Sequence, residues 1–133
     1  MKTTVATRYA LRALAHLAAL DGSPTVTSHD IARACGIPSE FLLKVLKLMA
    51  TAGLLHSNRG PKGGYRLARP AKSITLLEIV EAVDGPVRGL VPGVESAAGA
   101  QLDRGLAEVC DAAADATRKE LQKVRLSALA GAG

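Results

Sequence analysis

A basic stretch rich in turn-forming residues, residues 58–67, most constrains how this chain can fold. Its turn formers are Gly60, Pro61, Gly63 and Gly64. Glycine allows backbone angles that are closed to other residues, and proline fixes φ near about −65°. Residues 53–57 before this turn and residues 65–68 after it have the pattern of short strands, so the sequence predicts a β-hairpin.

The tip of this hairpin carries two basic side chains, Arg59 and Lys62. Because proline and glycine make the tip stiff, little conformational entropy is lost when these charges are held in place. A basic hairpin that directly follows two short helices is the layout of a winged helix-turn-helix, in which the hairpin is the wing.

Three helices are predicted before the hairpin, over residues 4–20, 28–35 and 39–52. Apolar residues recur at helical spacing in these segments. Gly36 ends the second helix because glycine tolerates a left-handed turn, and Ile37 is the expected buried residue of that turn. A helix, a glycine-centred turn and a helix form the helix-turn-helix signature, whose second helix enters the major groove of DNA.

The third predicted helix has an apolar face and a polar face. The expected inner stripe is Phe41, Leu42, Val45, Leu46 and Met49, and the expected outer face is Glu40, Leu43, Lys44, Lys47 and Thr51. A plain three-helix bundle with a solvated lysine face would give the same pattern. The wing that follows Gly53 favours the winged helix-turn-helix over that bundle.

Side-chain caps are expected at several helix starts. Thr27 and Thr75, each followed three positions later by an acidic residue, have the spacing of a capping box. Ser39 is the expected cap of the third helix. Residues 25–27 form a short β-prone piece that is expected to pair with the wing.

Residues 1–86 are predicted to form the winged domain, followed by a loop over 87–100 and a C-terminal dimerisation helix with its tail over 101–133. The apolar stripe of this long helix is Leu102, Leu106, Val109, Ala113, Ala116 and Leu121. Such a stripe must be buried against something, and a second copy of the chain is the expected partner. The alternative is a helix that folds back onto its own domain.

Charge is unevenly distributed along the chain. Residues 1–72 hold 11 basic and 3 acidic residues, a balance of +8, whereas residues 73–133 hold 6 and 9, a balance of −3. A basic first half indicates a polyanionic partner, and nucleic acid is favoured over ordinary surface charge.

Several missing patterns narrow the class of protein. The sequence has no apolar stretch of the roughly 20 residues that a membrane span needs and no recognisable secretory signal, so a cytoplasmic protein is expected. His16, His29 and His56 are isolated, and no catalytic triad, paired-carboxylate or phosphate-loop spacing occurs. The sequence therefore does not predict an enzyme.

Four segments together resemble the Rrf2 family of bacterial winged-helix transcription regulators. These segments are residues 8–12, the turn within 31–37, the wing at 59–68 and the helix at 77–86. The resemblance covers most of the chain. It implies a repressor that acts as a homodimer on a pseudo-palindromic operator in double-stranded DNA and that dimerises through its long C-terminal helix.

Many members of that family carry three cysteines before and at the start of the long helix, where they hold an iron–sulfur cluster. Residues 87–100 contain no cysteine here, and Cys110 alone stands near the last of the three positions. One thiolate cannot hold a cluster that usually takes four ligands, so no cofactor and no metal are expected. A small molecule, a partner protein, thiol oxidation or no signal at all remain open as the effector.

The resemblance also implies roles in DNA binding. The expected phosphate contacts are Lys2, Arg8, Arg12, Arg66 and Arg69, and the expected base contacts on the third helix are Ser39, Glu40, Leu43, Lys44 and Lys47. Arg59 and Lys62 are expected in or beside the minor groove. The alternative function is a winged-helix protein-interaction module that does not bind DNA.

Overall fold

The computed structural model describes residues 2–20, 25–61, 63–89 and 99–131. Within these ranges the chain is mostly helical, with one two-stranded antiparallel sheet. The elements are α1 (Val5–Ala19), α2 (Ser28–Cys35), α3 (Ser39–Thr51), β1 (Leu55–Asn58), β2 (Gly64–Leu67), a 3₁₀ turn (Ala71–Ser73), α4 (Leu76–Asp84), α5 (Ala100–Gln122) and α6 (Leu126–Gly131). This order confirms the predicted winged helix-turn-helix with a long C-terminal helix.

The helix-turn-helix is built on a core of aliphatic side chains from α1, α2 and α3. Its fully buried members include Leu14, Ile31, Leu42, Leu46 and Met49. Gly36 adopts φ +66°, the left-handed conformation that ends α2. Ile37, which follows in the turn, is 5% exposed, as the sequence predicts.

Two expectations for α3 were wrong. Phe41 was assigned to the inner stripe, yet its side chain is 39% exposed and lies at the edge of the buried face. Ser39 was expected to cap the helix, but Pro38 occupies the cap position and makes no side-chain hydrogen bond to the helix start. The proline side chain has no acceptor for the first N–H groups of the helix, and the backbone at Pro38 is non-helical with φ −58° and ψ 129°.

The hairpin pairs β1 with β2 from Leu55 opposite Leu67 to Asn58 opposite Gly64. The predicted third partner is confirmed: Val26 and Tyr65 exchange two backbone hydrogen bonds of 2.9 and 2.7 Å. The wing is therefore held against the segment that leads into α2. Its base is tied to α3, because the N–H of Leu54 donates to the carbonyl oxygen of Met49 at 3.0 Å.

The two expected capping boxes form only half of that motif. The N–H of Asp30 donates to Thr27 Oγ1, and the N–H of Glu78 donates to Thr75 Oγ1, both at 3.1 Å. The Glu78 carboxylate does not close the box, because it pairs with Arg69 instead.

The segment that follows α5 is hydrogen-bonded to the winged domain. α5 ends at Gln122, and the chain then forms a short antiparallel bridge with the segment before α4. In that bridge the N–H of Leu76 donates to Val124 and the N–H of Leu126 donates to Ile74, both at 2.8 Å. Leu126 is fully buried and α6 packs on α1, so the end of the described chain completes the core of the winged domain.

None of the helices in the described ranges combines the length and the apolar character that crossing a bilayer requires.

We expect Gly64→Ala to destabilise the protein by about 3 kcal/mol. Gly64 has φ +151°, and a Cβ added there would lie 2.5 Å from the carbonyl oxygen of Val26. Gly53→Ala is the matched control, because φ is also positive at +81° but a Cβ would meet no atom within 4 Å. Gly53→Ala should lower the free energy of unfolding by only about 1 kcal/mol.

Urea denaturation at one fixed protein concentration measures both free energies of unfolding. Equal losses in the two variants would contradict the close approach of the wing to Val26.

Candidate nucleic-acid interface

The outward face of α3 carries the residues that the sequence assigned to base contact. Ser39, Glu40, Leu43, Lys44 and Lys47 are all exposed. The opposite face is buried through Leu42, Val45, Leu46 and Met49, and this fixes the rotation of the helix about its axis. Lys44 and Lys47 therefore project away from the core, one turn apart along the helix.

Three predicted phosphate contacts come from the N-terminal segment and α1. Lys2, Arg8 and Arg12 are exposed. The Arg12 guanidinium lies over the ring of Tyr9, with its central carbon 5.8 Å from the ring centre, in the arrangement of a cation–π contact.

Tyr9 also joins α1 to the start of α3. Its ring meets that of Phe41 edge to face, with the ring centres 5.3 Å apart and the planes at 85°. Such a pair contributes about 0.5–1.5 kcal/mol beyond its buried area. Arg12, Tyr9 and Phe41 thus link the cations of α1 to the first turn of the helix that carries Lys44.

Sequence reasoning missed this aromatic link because it placed Phe41 in the core. The chain has only three aromatic residues, and two of them form the pair. The scarcity of aromatic residues was the one sequence signal for this pair, because a contact between two different helices leaves no regular spacing in the sequence.

The wing presents its described cations to solvent. Arg59 and Arg66 are exposed, and Arg66 lies opposite His56 in the sheet register. The tip closes through a hydrogen bond from the N–H of Gly63 to the carbonyl oxygen of Gly60 at 2.8 Å. Lys62, the second predicted tip cation, lies outside the described residues.

The candidate interface is a surface of unpaired positive charge. None of its seven described cations, which are Lys2, Arg8, Arg12, Lys44, Lys47, Arg59 and Arg66, forms an ion pair with another described residue. The ion pairs among described residues lie elsewhere: Arg69–Glu78, Arg118–Asp115 and Lys123–Glu120. Charges that are exposed and unneutralised suit the phosphates of a nucleic acid.

Arg69, which the sequence assigned to phosphate contact, differs from these seven cations because it has partners within the chain. Its guanidinium donates to Glu78 at 2.7 and 3.2 Å and also to the carbonyl oxygen of Ser73. Arg69 therefore joins the end of the wing to the start of α4.

Cys35 lies behind the α1 side of the interface. It is half-buried, and its thiol donates to the carbonyl oxygen of Arg12 at 3.7 Å. Burial raises the pKa of this thiol, and the nearby Arg12 charge opposes the rise. The protonated thiol is the form that the fold favours, as expected for a small packing residue.

The predicted dimerisation stripe of α5 is open to solvent in the single chain. Leu102, Leu106 and Val109 are 77%, 48% and 66% exposed. Ala113 and Ala116 are also exposed, and Leu121 is half-buried. A different face of α5 packs against α4 through Ala114, which is 6% exposed. The helix therefore folds partly onto its own domain while its apolar stripe stays uncovered.

The residues of this chain do not fit an iron–sulfur cluster. The sequence holds two cysteines, Cys35 on α2 and Cys110 on α5, and its three histidines all lie before residue 57. No group of three or more histidine, cysteine or acidic side chains suited to a metal ion occurs within the described ranges. A cluster needs about four such ligands at one place.

Comparison with known proteins agrees with the fold. The family model named Rrf2, described as an iron-dependent transcriptional regulator, matches residues 3–132. The solved structure of CymR, the global cysteine regulator of B. subtilis, superimposes with a TM-score of 0.76 at 26% identity, covering 100% of this chain and 98% of that one.

Two curated relatives are transcriptional regulators by name. IscR of Cereibacter sphaeroides is 36% identical over 106 residues, which are 78% of this chain and 68% of that protein. IscR of Vibrio campbellii is 38% identical over 87 residues, which are 65% of this chain and 52% of that protein. The chain spans about half the length of several of the curated relatives it matches.

The match to the family model extends over nearly the whole sequence, from before α1 to the end of α6, and the structural likeness to CymR covers the entire chain. The resemblance inferred from the sequence is therefore confirmed, and the chain belongs to the Rrf2 family of transcriptional regulators.

Proposed function

We propose that this protein is a transcriptional repressor that binds a pseudo-palindromic operator as a homodimer. The observation that carries the proposal is the set of exposed cations on α1, α3 and the wing, none of which is neutralised by another described residue. An unneutralised surface of this kind releases counterions when it meets DNA phosphates, and this release drives binding.

In the proposed complex α3 enters the major groove. Lys44 donates to guanine, Glu40 accepts from the cytosine amino group, and Leu43 contacts thymine methyl groups. Ser39 and Lys47 flank these contacts at the start and middle of the helix. The buried face of α3 supports this orientation, because turning the helix would expose Leu42 and Met49.

The wing and α1 hold the protein on the DNA backbone. Arg59, with Lys62 three residues later in the sequence, enters the minor groove, whose negative potential is greatest where it is narrow. Lys2, Arg8, Arg12 and Arg66 contact phosphates and set the register of the protein on the duplex. The stacking of Arg12 on Tyr9 supports this role, since it limits the conformations open to the guanidinium.

Dimerisation is proposed through the exposed stripe of α5. Burial of the large apolar side chains Leu102, Leu106 and Val109 against a second copy supplies most of the favourable free energy of dimerisation. A two-fold axis beside α5 would present two copies of α3 to two half-sites, which requires an operator with matching symmetry. Repression then follows from occupying DNA that the transcription machinery needs.

Arg59→Ala should weaken DNA binding by about 10- to 30-fold, because a homodimer loses two charge-assisted contacts. The slope of log affinity against log salt concentration should become shallower by about 2. Fluorescence anisotropy with a labelled duplex pool of mixed sequence, titrated at several salt concentrations, measures both quantities.

Lys119→Ala is the matched control for this experiment, because Lys119 is an exposed cation on α5, outside the candidate interface. It should leave affinity and slope unchanged. Equal effects of the two substitutions would exclude the wing from DNA binding, and salt-independent behaviour of the wild type would favour a protein-interaction module.

Val109→Glu should weaken dimerisation by on the order of 100-fold, because each protomer would bring a carboxylate into an apolar contact. Gln122→Glu introduces the same side chain at an exposed position near the end of α5, away from the stripe, and should leave the dimer intact. Sedimentation velocity over a range of protein concentrations measures both dissociation constants. A wild-type protein that stays monomeric at micromolar concentration contradicts the proposed interface.

A further inference from the structure

A cavity of about 500 Å³ lies where the winged domain meets α5. Its walls come from the segment before α1, the C-terminal end of α4, the connector over residues 85–89 and α5, where Ala113 belongs both to the cavity and to the proposed dimerisation stripe. Small residues, Gly85, Gly89, Ala113 and Ala114, leave room for it. The candidate DNA interface does not account for this space, although Lys2 belongs to both.

The connector that forms one wall is held in place from both sides. The N–H of Val87 donates to Glu81 Oε2 at 2.9 Å, and its carbonyl oxygen accepts from Arg118. Gly89 lies so close to α5 that an added Cβ would be 2.9 Å from the backbone nitrogen of Asp111. These contacts hold the connector that forms one wall of the cavity.

The charges around the cavity favour an anion. Lys2 and Arg88 line it, and neither forms an ion pair with a described residue. Asp84 is the one acidic residue of the described lining, and both of its carboxylate oxygens already accept hydroxyl hydrogen bonds, from Thr4 at 2.8 Å and Thr7 at 2.7 Å. The Asp111 carboxylate also lies beside the cavity, against Gly89. Neither carboxylate forms an ion pair with Lys2 or Arg88, so both cations are available to an anion.

The other residues that line the cavity suit the apolar part of a short organic molecule. Val80 and Val87 supply apolar surface, Thr117 supplies a hydroxyl, and Cys110 supplies a free thiol. Ligand sites commonly combine apolar walls with a few convergent polar groups. We propose that this cavity binds a small organic anion, a carboxylate with a short apolar body, whose charge is held by Lys2 and Arg88.

Occupancy has a consequence that rests on the proposed DNA binding. Lys2 is shared between the cavity and the expected phosphate contacts, so a bound anion removes one cation from the DNA surface. The ligand therefore lowers operator affinity, and DNA lowers ligand affinity by the same factor.

Cys110 provides a direct readout of the cavity that does not involve DNA. Iodoacetate and iodoacetamide alkylate the same thiolate by displacing iodide, but only iodoacetate carries a carboxylate. At Cys110, the rate constant for iodoacetate divided by that for iodoacetamide should fall about threefold in Arg88→Gln, because the cation that attracts the carboxylate is lost. The same quotient at Cys35 should stay constant and serves as an internal reference. Lys119→Gln is the matched control and should leave both ratios unchanged.

Benzoate tests reversible binding with the same thiol. It should protect Cys110 from iodoacetamide in a saturable manner, while the neutral analogue benzamide should not, and neither should protect Cys35. Peptide mass spectrometry follows both cysteines in one sample. A ratio at Cys110 that does not respond to Arg88→Gln, or the absence of benzoate protection, overturns the anion site.

The coupling is tested in a Cys35→Ala background by comparing the carboxymethylated with the carbamidomethylated protein. Anisotropy with the mixed-sequence duplex pool should show about threefold weaker binding for the carboxymethylated form, which keeps a carboxylate in the cavity. Equal DNA affinities of the two alkylated forms would overturn the coupling. If neither form binds DNA and the unmodified protein does not bind it either, the proposed function is overturned, whereas the alkylation and protection results at Cys110 still support the anion site.

Discussion

Burial of one face of α3 is the constraint on which the remaining structure depends. Leu42, Leu46 and Met49 have no exposed surface, so rotating the helix about its axis would bring large apolar side chains into water. Burying each such side chain contributes about 1.5–3 kcal/mol. The opposite face is then the only place for Lys44 and Lys47, and the wing is tied to the same helix through Leu54 and Met49.

A second constraint is the attachment of the C-terminal half of α5 to the winged domain. The connector at Val87 is bonded to Arg118 of α5, and the bridge between residues 74–76 and 124–126 follows directly after the helix. Because α6 also contributes Leu126 to the core, the long helix cannot turn freely relative to α3. In a dimer built on α5, this rigidity would fix the distance between two recognition helices and hence the spacing of operator half-sites.

The helix-turn-helix and the wing were predictable because their elements have local signals. Glycine at position 36 and the turn formers at 60–64 mark chain reversals, and the leucine spacing in α3 gives its inner stripe. Phe41 was misplaced because helical periodicity cannot distinguish the centre of a buried face from its edge. The ion pair of Arg69 with Glu78 was not predicted because Glu78 was already explained as a capping residue.

The parts that the sequence did not predict depend on long-range contacts. The pairing of Tyr9 with Phe41 joins residues 32 apart, and the hydroxyl contacts of Asp84 join residues 80 and 77 apart. The cavity beside Cys110 likewise brings together separate segments, from Lys2 to Thr117. No residue spacing within one element encodes such a contact. The exposure of the cations on the candidate interface was predictable because exposure is the default state of lysine and arginine.

Selection of bound sequences from random double-stranded DNA with the purified protein tests the central claim most directly. The account predicts enrichment of one inverted repeat whose half-site centres are about 10 base pairs, or a multiple of that distance, apart. Bound sequences that show no enrichment over the starting pool, or a single half-site without symmetry, would contradict it.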